Sequence, residues 1–193
     1  MICDALAASG CRSAHVNYAL AETRVPKHPR PINVCQPESP NPMRLEPLMS
    51  YHADLLPAVT VGAGPHGTRA IFEVTGGAFE GPALRGKLLT GGGDWMLIDA
   101  QGMGHLDVRA TFETHDGALI YVQYFGRVVV TEAINQALQG NGATDYGDTH
   151  FFTQPRFETG DARYAWLNQV IAVAQGRVCH GRVEYQVFAC VND

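Results

Sequence analysis

The residues best suited to chemistry begin with Asp94 and Trp95, which directly follow three glycines, Gly91 to Gly93. The glycines predict a tight turn that presents a carboxylate beside a large aromatic surface. Apolar surroundings disfavour the charged form of a carboxyl group, so Asp94 is a candidate general acid or base near neutral pH. The alternative is structural: Asp94 accepts hydrogen bonds from amides of the turn, and Trp95 belongs to the core.

Two charged pairs could hold an anionic oxygen. Asp107 and Arg109 are two residues apart in a predicted strand, so their side chains share a face. Asp107 could therefore orient the guanidinium group toward a carboxylate or an enolate. Arg156, with Glu158, offers a second pair of the same kind. Each pair is equally well explained as a salt bridge on the surface of a sheet.

Aromatic and amide side chains supply the other predicted contacts with a substrate. Tyr121 is a candidate hydrogen-bond donor, Trp95 and Trp166 are candidate apolar walls, and the Asn168 amide follows Trp166 closely. The segment Tyr164–Asn168 is predicted to be extended. The alternative for these rings is a place in the hydrophobic core.

Other catalytic chemistries lack a motif in this sequence. No GxSxG segment marks a nucleophilic serine. The run GGGDW lacks the Lys-Ser/Thr end of a phosphate loop and precedes a predicted strand, not a helix. The spacing of histidine and cysteine matches no zinc site. The sequence therefore predicts chemistry without a metal or a cofactor.

Charge and composition narrow the class of partner. The chain of 193 residues carries a formal net charge of −5, and its basic residues are scattered, which argues against nucleic-acid binding. No apolar run approaches the ~18 residues that cross a bilayer. The five cysteines show no CxxC pair and are interpreted as reduced thiols of a cytoplasmic protein. The expected partner is a small hydrophobic or aromatic ligand.

The elements that must position these residues are short strands. From Leu45 onward, segments rich in β-branched and aromatic residues alternate with glycine-bearing turns, which predicts an all-β antiparallel barrel or sandwich. Thr131–Leu138 predicts one short helix capped by Thr131, and residues 139–148 predict a mobile loop. Helix and loop together suit a lid or a plain connector. The predicted strands cover residues 49–61, 68–74, 84–89, 94–99, 105–114, 119–130, 150–157, 168–178 and 182–191.

The candidate site depends on which face of the strand 105–114 is inside the barrel. Leu106 and Val108 belong to its apolar face, whereas Asp107 and Arg109 belong to its polar face. If the polar face lines the lumen, Asp107 and Arg109 meet the substrate. If the polar face is solvated, as in most antiparallel sheets, they do not.

The first 42 residues differ in composition from the rest. Six prolines fall between Pro26 and Pro42, and no helical or strand period is sustained. Proline disfavours both regular structures, so residues 1–42 are predicted to be a poorly ordered extension, and residues 43–193 a barrel domain. The extension is interpreted as a dispensable tail or as the product of a start site upstream of Met43. The alternative is a proline-rich arm that binds a partner.

Three motifs occur together in a recognisable order: GGAFEGPALRGKLLTGGGDW at Gly76–Trp95, LDVRATFETHDGALIYV at Leu106–Val122, and RFETGDARYAWLN at Arg156–Asn168. From about Leu45 to Val191 the chain resembles the bacterial and fungal family called domain of unknown function 3237, or uncharacterised protein family 0311. The resemblance implies a single lipocalin-like antiparallel β-barrel with an internal pocket, commonly self-associating, so a homo-oligomer is expected. It also implies small-molecule metabolism, including aromatic or polyketide-like compounds, but no particular reaction.

These observations lead to one functional hypothesis and two rivals. The hypothesis is a cofactor-independent lyase, isomerase or cyclase that acts on a small aromatic or polyketide-like carbonyl compound inside the barrel. Asp94 is its general acid/base, Arg109 and Arg156 hold the developing anionic oxygen, and Tyr121 donates a hydrogen bond. The first rival is a protein that binds a small molecule in the same barrel without chemistry. The second is a purely structural oligomer whose lumen is filled by its own side chains.

Overall fold

The computed structural model of the chain describes residues 43–192. The extension predicted for residues 1–42 lies outside these residues. The described part contains ten strands, one α-helix and one 3₁₀ helix. In chain order they are β1 Arg44–Leu55, β2 Val59–Gly64, β3 Gly67–Glu80, β4 Arg85–Leu88, β5 Gly92–Ile98, β6 Met103–Thr114, β7 Leu119–Val129, α1 Glu132–Leu138, β8 Phe151–Glu158, the 3₁₀ helix Ala162–Gln169, β9 Ala172–Cys179 and β10 Arg182–Val191.

The strands form one antiparallel sheet that closes on itself. Its ring contains eight strands in the order β1, β10, β9, β8, β7, β6, β5, β3 and back to β1. The short strand β4 lies in line with β5, between β3 and β6, and β2 pairs with β3 beyond the end of β1. The prediction of a single antiparallel barrel with a short inserted helix is confirmed.

Alternation of side chains along each strand builds the core. In β6 the apolar positions Leu106, Val108, Ala110 and Phe112 are buried, while their neighbours are partly exposed. Aromatic rings then fill much of the interior. Tyr51 stacks on Tyr185 with ring centroids 4.8 Å apart, and its ring meets that of Phe112 edge-on at 5.3 Å.

The prediction of a single strand over residues 49–61 is wrong. β1 ends at Leu55, β2 begins at Val59, and Pro57 lies between them. Proline has no backbone N–H and cannot donate to a strand ladder, which explains the break. Within the described residues β2 pairs with β3 alone, so the barrel wall has a free edge at this point.

Helix α1 was expected from its spacing, and the structure confirms it. The Thr131 hydroxyl accepts a hydrogen bond from the Ile134 N–H at 3.2 Å, which caps the first turn. Ile134 and Ala137 are buried against the barrel. Among residues 43–192, neither helix has the length and apolar content needed to cross a membrane.

The segment Tyr164–Asn168, predicted to be extended, instead belongs to the 3₁₀ helix. The Asp161 carboxylate caps this helix by accepting a hydrogen bond from the Arg163 N–H at 3.0 Å. Its two buried residues, Tyr164 and Leu167, are three apart, which matches the three-residue turn of a 3₁₀ helix. That spacing was the overlooked signal.

Candidate functional site

Asp94 lies on the inner face of the barrel wall because of the glycines before it. Gly91 has φ of +90°, a conformation that favours glycine. A Cβ atom on Gly93 would lie 2.8 Å from the Phe72 carbonyl oxygen, so β5 could not approach β3 this closely with a larger residue. Asp94 is then paired with Phe72 on one side and with Val108 on the other, both of which point inward.

The Asp94 carboxylate is held where the ladder between β5 and β6 opens. The register pairs Asp94 with Val108 and resumes at Leu97 with His105. Between these points the Asp107 N–H donates to Asp94 Oδ1 at 3.0 Å, and the Trp95 carbonyl oxygen accepts a hydrogen bond from the Arg69 guanidinium. A side-chain carboxylate thus substitutes for a backbone acceptor of the neighbouring strand.

Burial makes Asp94 a weak acid. The pKa of Asp94 is raised from 3.8 to about 7, and loss of hydration on burial is the largest cause. The hydrogen bond from the Asp107 N–H and the positive charge of Arg69 act to lower the pKa, whereas the negative charge of Asp107 acts to raise it. Near neutral pH both protonation states of Asp94 are therefore populated, which a group that alternately accepts and releases a proton requires.

The carboxyl group faces a small internal cavity of about 40 Å³. Among the described residues that line this cavity, Asp94 is the one formally charged side chain. The volume admits a few water molecules at most and is far below the ~300 Å³ of a typical ligand pocket. The lining residues are Ala53, Leu55, Phe72, Val74, Asp94, Met96, Leu106, Val108, Tyr124, Val128, Val130, Ile134, Leu138, Phe151, Val178, Val183 and Tyr185.

Three buried tyrosines lie close to Asp94, namely Tyr51, Tyr124 and Tyr185. Burial is the main reason that the pKa of each phenol is raised, and the charge of Asp94 adds to the rise in all three. Their hydroxyl groups therefore stay protonated, and that of Tyr124 interacts with those of both Tyr51 and Tyr185. Among the described residues the buried Tyr51 hydroxyl has no hydrogen-bond partner of good geometry, although its electrostatic partners include the Tyr124 hydroxyl.

Helix α1 closes one end of the cavity. Ile134 and Leu138 line the cavity from the helix. The segment after the helix, predicted to be a mobile loop, is tied to β9: the Thr144 N–H donates to the Val178 carbonyl oxygen at 2.8 Å, and Arg177 pairs with Asp145 at 3.1 Å. Helix and loop together thus cover the cavity, the helix through its buried side chains and the loop through its contacts with β9.

In the described residues, no three His, Cys, Asp or Glu side chains are grouped as metal ligands would be. The site as described is a carboxyl group and phenols in apolar surroundings. Such an arrangement can exchange a proton with a bound molecule and can donate hydrogen bonds to an oxygen that becomes negative.

Comparison with known proteins identifies the family. A family model described as "Protein of unknown function (DUF3237)" matches residues 43–190. The chain belongs to this family. A UPF0311 protein of Bradyrhizobium diazoefficiens is 37% identical over 116 residues, which cover 60% of this chain and 76% of the relative. The crystal structure of a β-barrel-like protein from Acinetobacter baumannii matches with a TM-score of 0.67 at 35% identity, over 80% of this chain and all (100%) of that one.

Two fungal proteins resemble this DUF3237 chain more distantly. A protein of Penicillium roqueforti named PR-toxin biosynthesis cluster protein 7 is 26% identical over 167 residues, which cover 75% of this chain and 89% of the relative. The crystal structure of an enzyme from Penicillium herquei matches with a TM-score of 0.59 over 81% of this chain and 100% of the other. Its identity of 22% supports a shared fold alone.

The interpretation that the polar face of β6 lines the lumen is wrong for this DUF3237 barrel. The apolar face is packed inside, and Asp107 and Arg109 lie on the outer wall, where they pair at 3.1 Å. The Arg109 guanidinium also lies over the Trp95 ring, 5.4 Å from its centroid. Burying the apolar face removes more hydrocarbon surface from water than burying the polar face would, which explains why the apolar face is inside. The side chains of these three residues form a cluster on the outer wall, and the backbone N–H of Asp107 connects this cluster to Asp94.

The other predicted residues also lie away from the cavity. Tyr121 is 38% exposed on β7, and Arg156 is exposed on β8. Trp166 is 40% exposed on the 3₁₀ helix. Asn168 has a structural contact: its amide exchanges two hydrogen bonds with the backbone of Thr159, at 2.8 and 3.0 Å. Of the predicted site residues, Asp94 is thus the one found among the residues lining the cavity.

Sequence reasoning missed the buried tyrosines. Tyr124 shares its strand face with Ile120 and Val122, and Tyr185 shares its face with Val183 and Val187. A tyrosine on an apolar strand face is a signal for a buried hydroxyl group. This signal favours Tyr124 over Tyr121, whose neighbours on its strand face include the polar Gln123.

Proposed function

We propose that this chain is a cofactor-independent enzyme, a lyase, isomerase or cyclase, that acts on a small aromatic or polyketide-like carbonyl compound. The reaction takes place in the barrel interior, and Asp94 is the general acid/base. One observation carries the proposal: a carboxyl group with a pKa of about 7 faces a cavity whose described lining is otherwise uncharged.

The chemistry follows from the neighbours of Asp94. As carboxylate, Asp94 removes a proton from a carbon next to the substrate carbonyl. The electrons of that C–H bond form a carbon–carbon double bond, and the carbonyl electrons move to oxygen as an enolate. Protonated Tyr124 or Tyr185 donates a hydrogen bond to the enolate oxygen. Where a further carbon–carbon double bond is conjugated with the enolate, Asp94 returns the proton at the far carbon of that system, the carbonyl group re-forms, and the double bond shifts to lie next to it. The net change is then an isomerisation that consumes no co-reactant.

The fungal relatives support a role in small-molecule chemistry. One is described as an enzyme, and the other is named for a toxin biosynthesis cluster. Both likenesses are distant, so they support catalysis in general, and neither indicates a substrate for this chain.

Binding without chemistry is the second candidate function. The small volume of the cavity favours it, because a cavity of about 40 Å³ must be widened before any carbonyl compound reaches Asp94. Turnover separates the two functions. A binding protein returns its ligand unchanged, whereas the proposed enzyme exchanges a carbon-bound proton with solvent.

Deuterium exchange tests the proposal. The full chain is incubated in D₂O with a panel of uncharged aromatic ketones and phenolic β-diketones, and mass spectrometry follows the uptake of deuterium. We expect exchange with at least one compound, and a loss of roughly 10²- to 10⁴-fold in Asp94→Asn, the usual contribution of a general base. Asp54→Asn is the matched control, since Asp54 is half-exposed and pairs with Arg182 at 3.3 Å.

Three outcomes would contradict the proposal. If Asp94→Asn exchanges as fast as the wild type, Asp94 is not the base. If Arg109→Ala or Tyr121→Phe abolishes exchange while Asp94→Asn does not, the reaction occurs on the outer wall. Saturable binding of a panel compound without exchange in the wild type would favour the binding protein.

We further propose that the protein acts in the cytoplasm as a homo-oligomer. The free thiols of Cys179 and Cys190 support a reducing compartment. Exposed rings on the outer wall, Phe125 at 43% and Phe152 at 46%, support self-association through β7 and β8.

A further inference from the structure

A groove lies directly outside the cavity that contains Asp94. It has a volume of about 530 Å³ and lies between β2, β3 and β5 on one side and helix α1 on the other. Four residues line both the groove and the cavity: Leu55, Phe72, Met96 and Leu138. These shared side chains therefore form a layer between the groove and the smaller cavity.

The groove exists because of the break after β1. Beyond Pro57 the chain continues as β2, which among the described residues pairs with β3 alone. No other described strand covers the free edge of β2, and helix α1 is the element across the gap. The barrel wall thus opens at the end that the helix covers.

The lining of the groove selects for uncharged ligands. It is mainly apolar, and its polar side chains are Thr60, Thr68, Asn135 and Gln139, none of which carries a formal charge. An ion that entered would lose hydration without gaining a countercharge. The volume falls within the ~300 to 1,000 Å³ of small-molecule sites, unlike that of the cavity.

Two members of the layer between groove and cavity are less buried than the other two. Leu55 and Leu138 are partly exposed, whereas Phe72 and Met96 are buried. Leu138 is the last residue of helix α1, and both leucines pack against the hydrophobic core. Met96 and Asp94 are two positions apart on the same strand face, so Asp94 lies only about 7 Å along the strand from the floor of the groove.

We propose that the groove binds the body of an uncharged, mainly apolar molecule whose carbonyl end reaches Asp94 between Leu55 and Leu138. Asn135 and Gln139 hydrogen-bond to polar groups at its outer end, because their amides are the donors that helix α1 presents to the groove. The claim that the bound molecule reaches Asp94 rests on the proposed function, whereas the claim that the groove binds such a molecule is independent of it.

A neutral fluorescent dye tests the groove. Nile red is titrated into the full wild-type chain and into Ala58→Trp, which fills the groove from an exposed position before β2. We expect saturable binding by the wild type and a loss of about tenfold or more in Ala58→Trp, the cost of overpacking a binding site. Ala63→Trp, the same change on β2 at a residue that does not line the groove, is expected to bind as the wild type does. Thr60→Trp repeats the test should Ala58→Trp fold poorly.

Deuterium exchange in the same variants tests the connection to Asp94. Weaker dye binding with a parallel loss of kcat/KM for exchange in Ala58→Trp supports the whole proposal. Weaker dye binding with unchanged exchange would overturn the claim that the substrate reaches Asp94 through the groove.

Two results would overturn the claim that the groove binds uncharged ligands. One is equal affinity of Ala58→Trp and the wild type for the dye, and the other is tighter binding of an anionic dye, such as anilinonaphthalene sulfonate, at the same site. If no variant exchanges deuterium but Ala58→Trp loses the dye, the groove stands and the proposed enzyme does not.

Discussion

Replacing Asp94 with Asn should make the protein less sensitive to pH. The substitution keeps the size of the side chain and an oxygen that can accept the Asp107 N–H, but it removes the titrating proton. In the folded protein the pKa of Asp94 is about 7, against 3.8 without the surrounding protein. A difference of about 3 in pKa corresponds to about 4 kcal/mol, the penalty for ionising Asp94 in the fold.

The sign of the effect follows from where the proton is held. Because burial raises the pKa in the folded state, between about pH 4 and pH 7 the folded protein keeps a proton that the unfolded chain has released. The contribution of Asp94 to stability is therefore greatest below about pH 4, falls by about 1.4 kcal/mol per pH unit, and is constant above about pH 7. In Asp94→Asn this fall is absent.

Urea denaturation of both proteins between about pH 5 and pH 8 measures the effect. We expect the free energy of unfolding of Asp94→Asn, minus that of the wild type, to rise by about 3 kcal/mol over this range. Asp54→Asn, measured in parallel, corrects for the change in net charge. A difference that stays constant with pH would refute the claim that the fold raises the pKa of Asp94.

Two further predictions concern the cover of the cavity and the outer wall. Thr131→Ala removes the cap of helix α1 and should lower the free energy of unfolding, measured by urea denaturation, by about 1 kcal/mol. Thr131→Ser keeps a hydroxyl group and should be as stable as the wild type. Equal stability of all three proteins would contradict the role of the cap. Phe152→Glu puts a charge on the exposed apolar wall and should reduce the mass seen in analytical ultracentrifugation, while an unchanged oligomer would exclude β8 from the interface.

The barrel could be predicted because its signals are local. Glycine turns and strands of alternating polarity are short-range features, and helix α1 has its cap and its apolar spacing within eight residues. The exceptions were also local. Pro57 lies between β1 and β2, where one continuous strand was predicted, and Asp161 caps a 3₁₀ helix where an extended segment was predicted.

The candidate site could be predicted only in part because it depends on closure of the sheet. Alternation in β6 assigned Asp107 and Arg109 to one face correctly, but alternation alone does not say which face is inside. Tyr124 and Tyr185 meet Asp94 only through strand pairings distant in the sequence. Asp94 itself could be predicted because the glycines and Trp95 beside it already indicated a sheltered carboxyl group.

The proposed acid/base role requires that Asp94 exchange its proton near neutral pH. A ¹³C NMR titration of the full chain labelled at aspartate carboxyl carbons measures this directly, with the Asp94 signal assigned by its absence in Asp94→Asn. We expect a midpoint of about 7 for this one resonance. A midpoint near 3.8 would mean that Asp94 is ionised at all physiological pH values, and it would contradict both the acid/base role and the predicted change in stability.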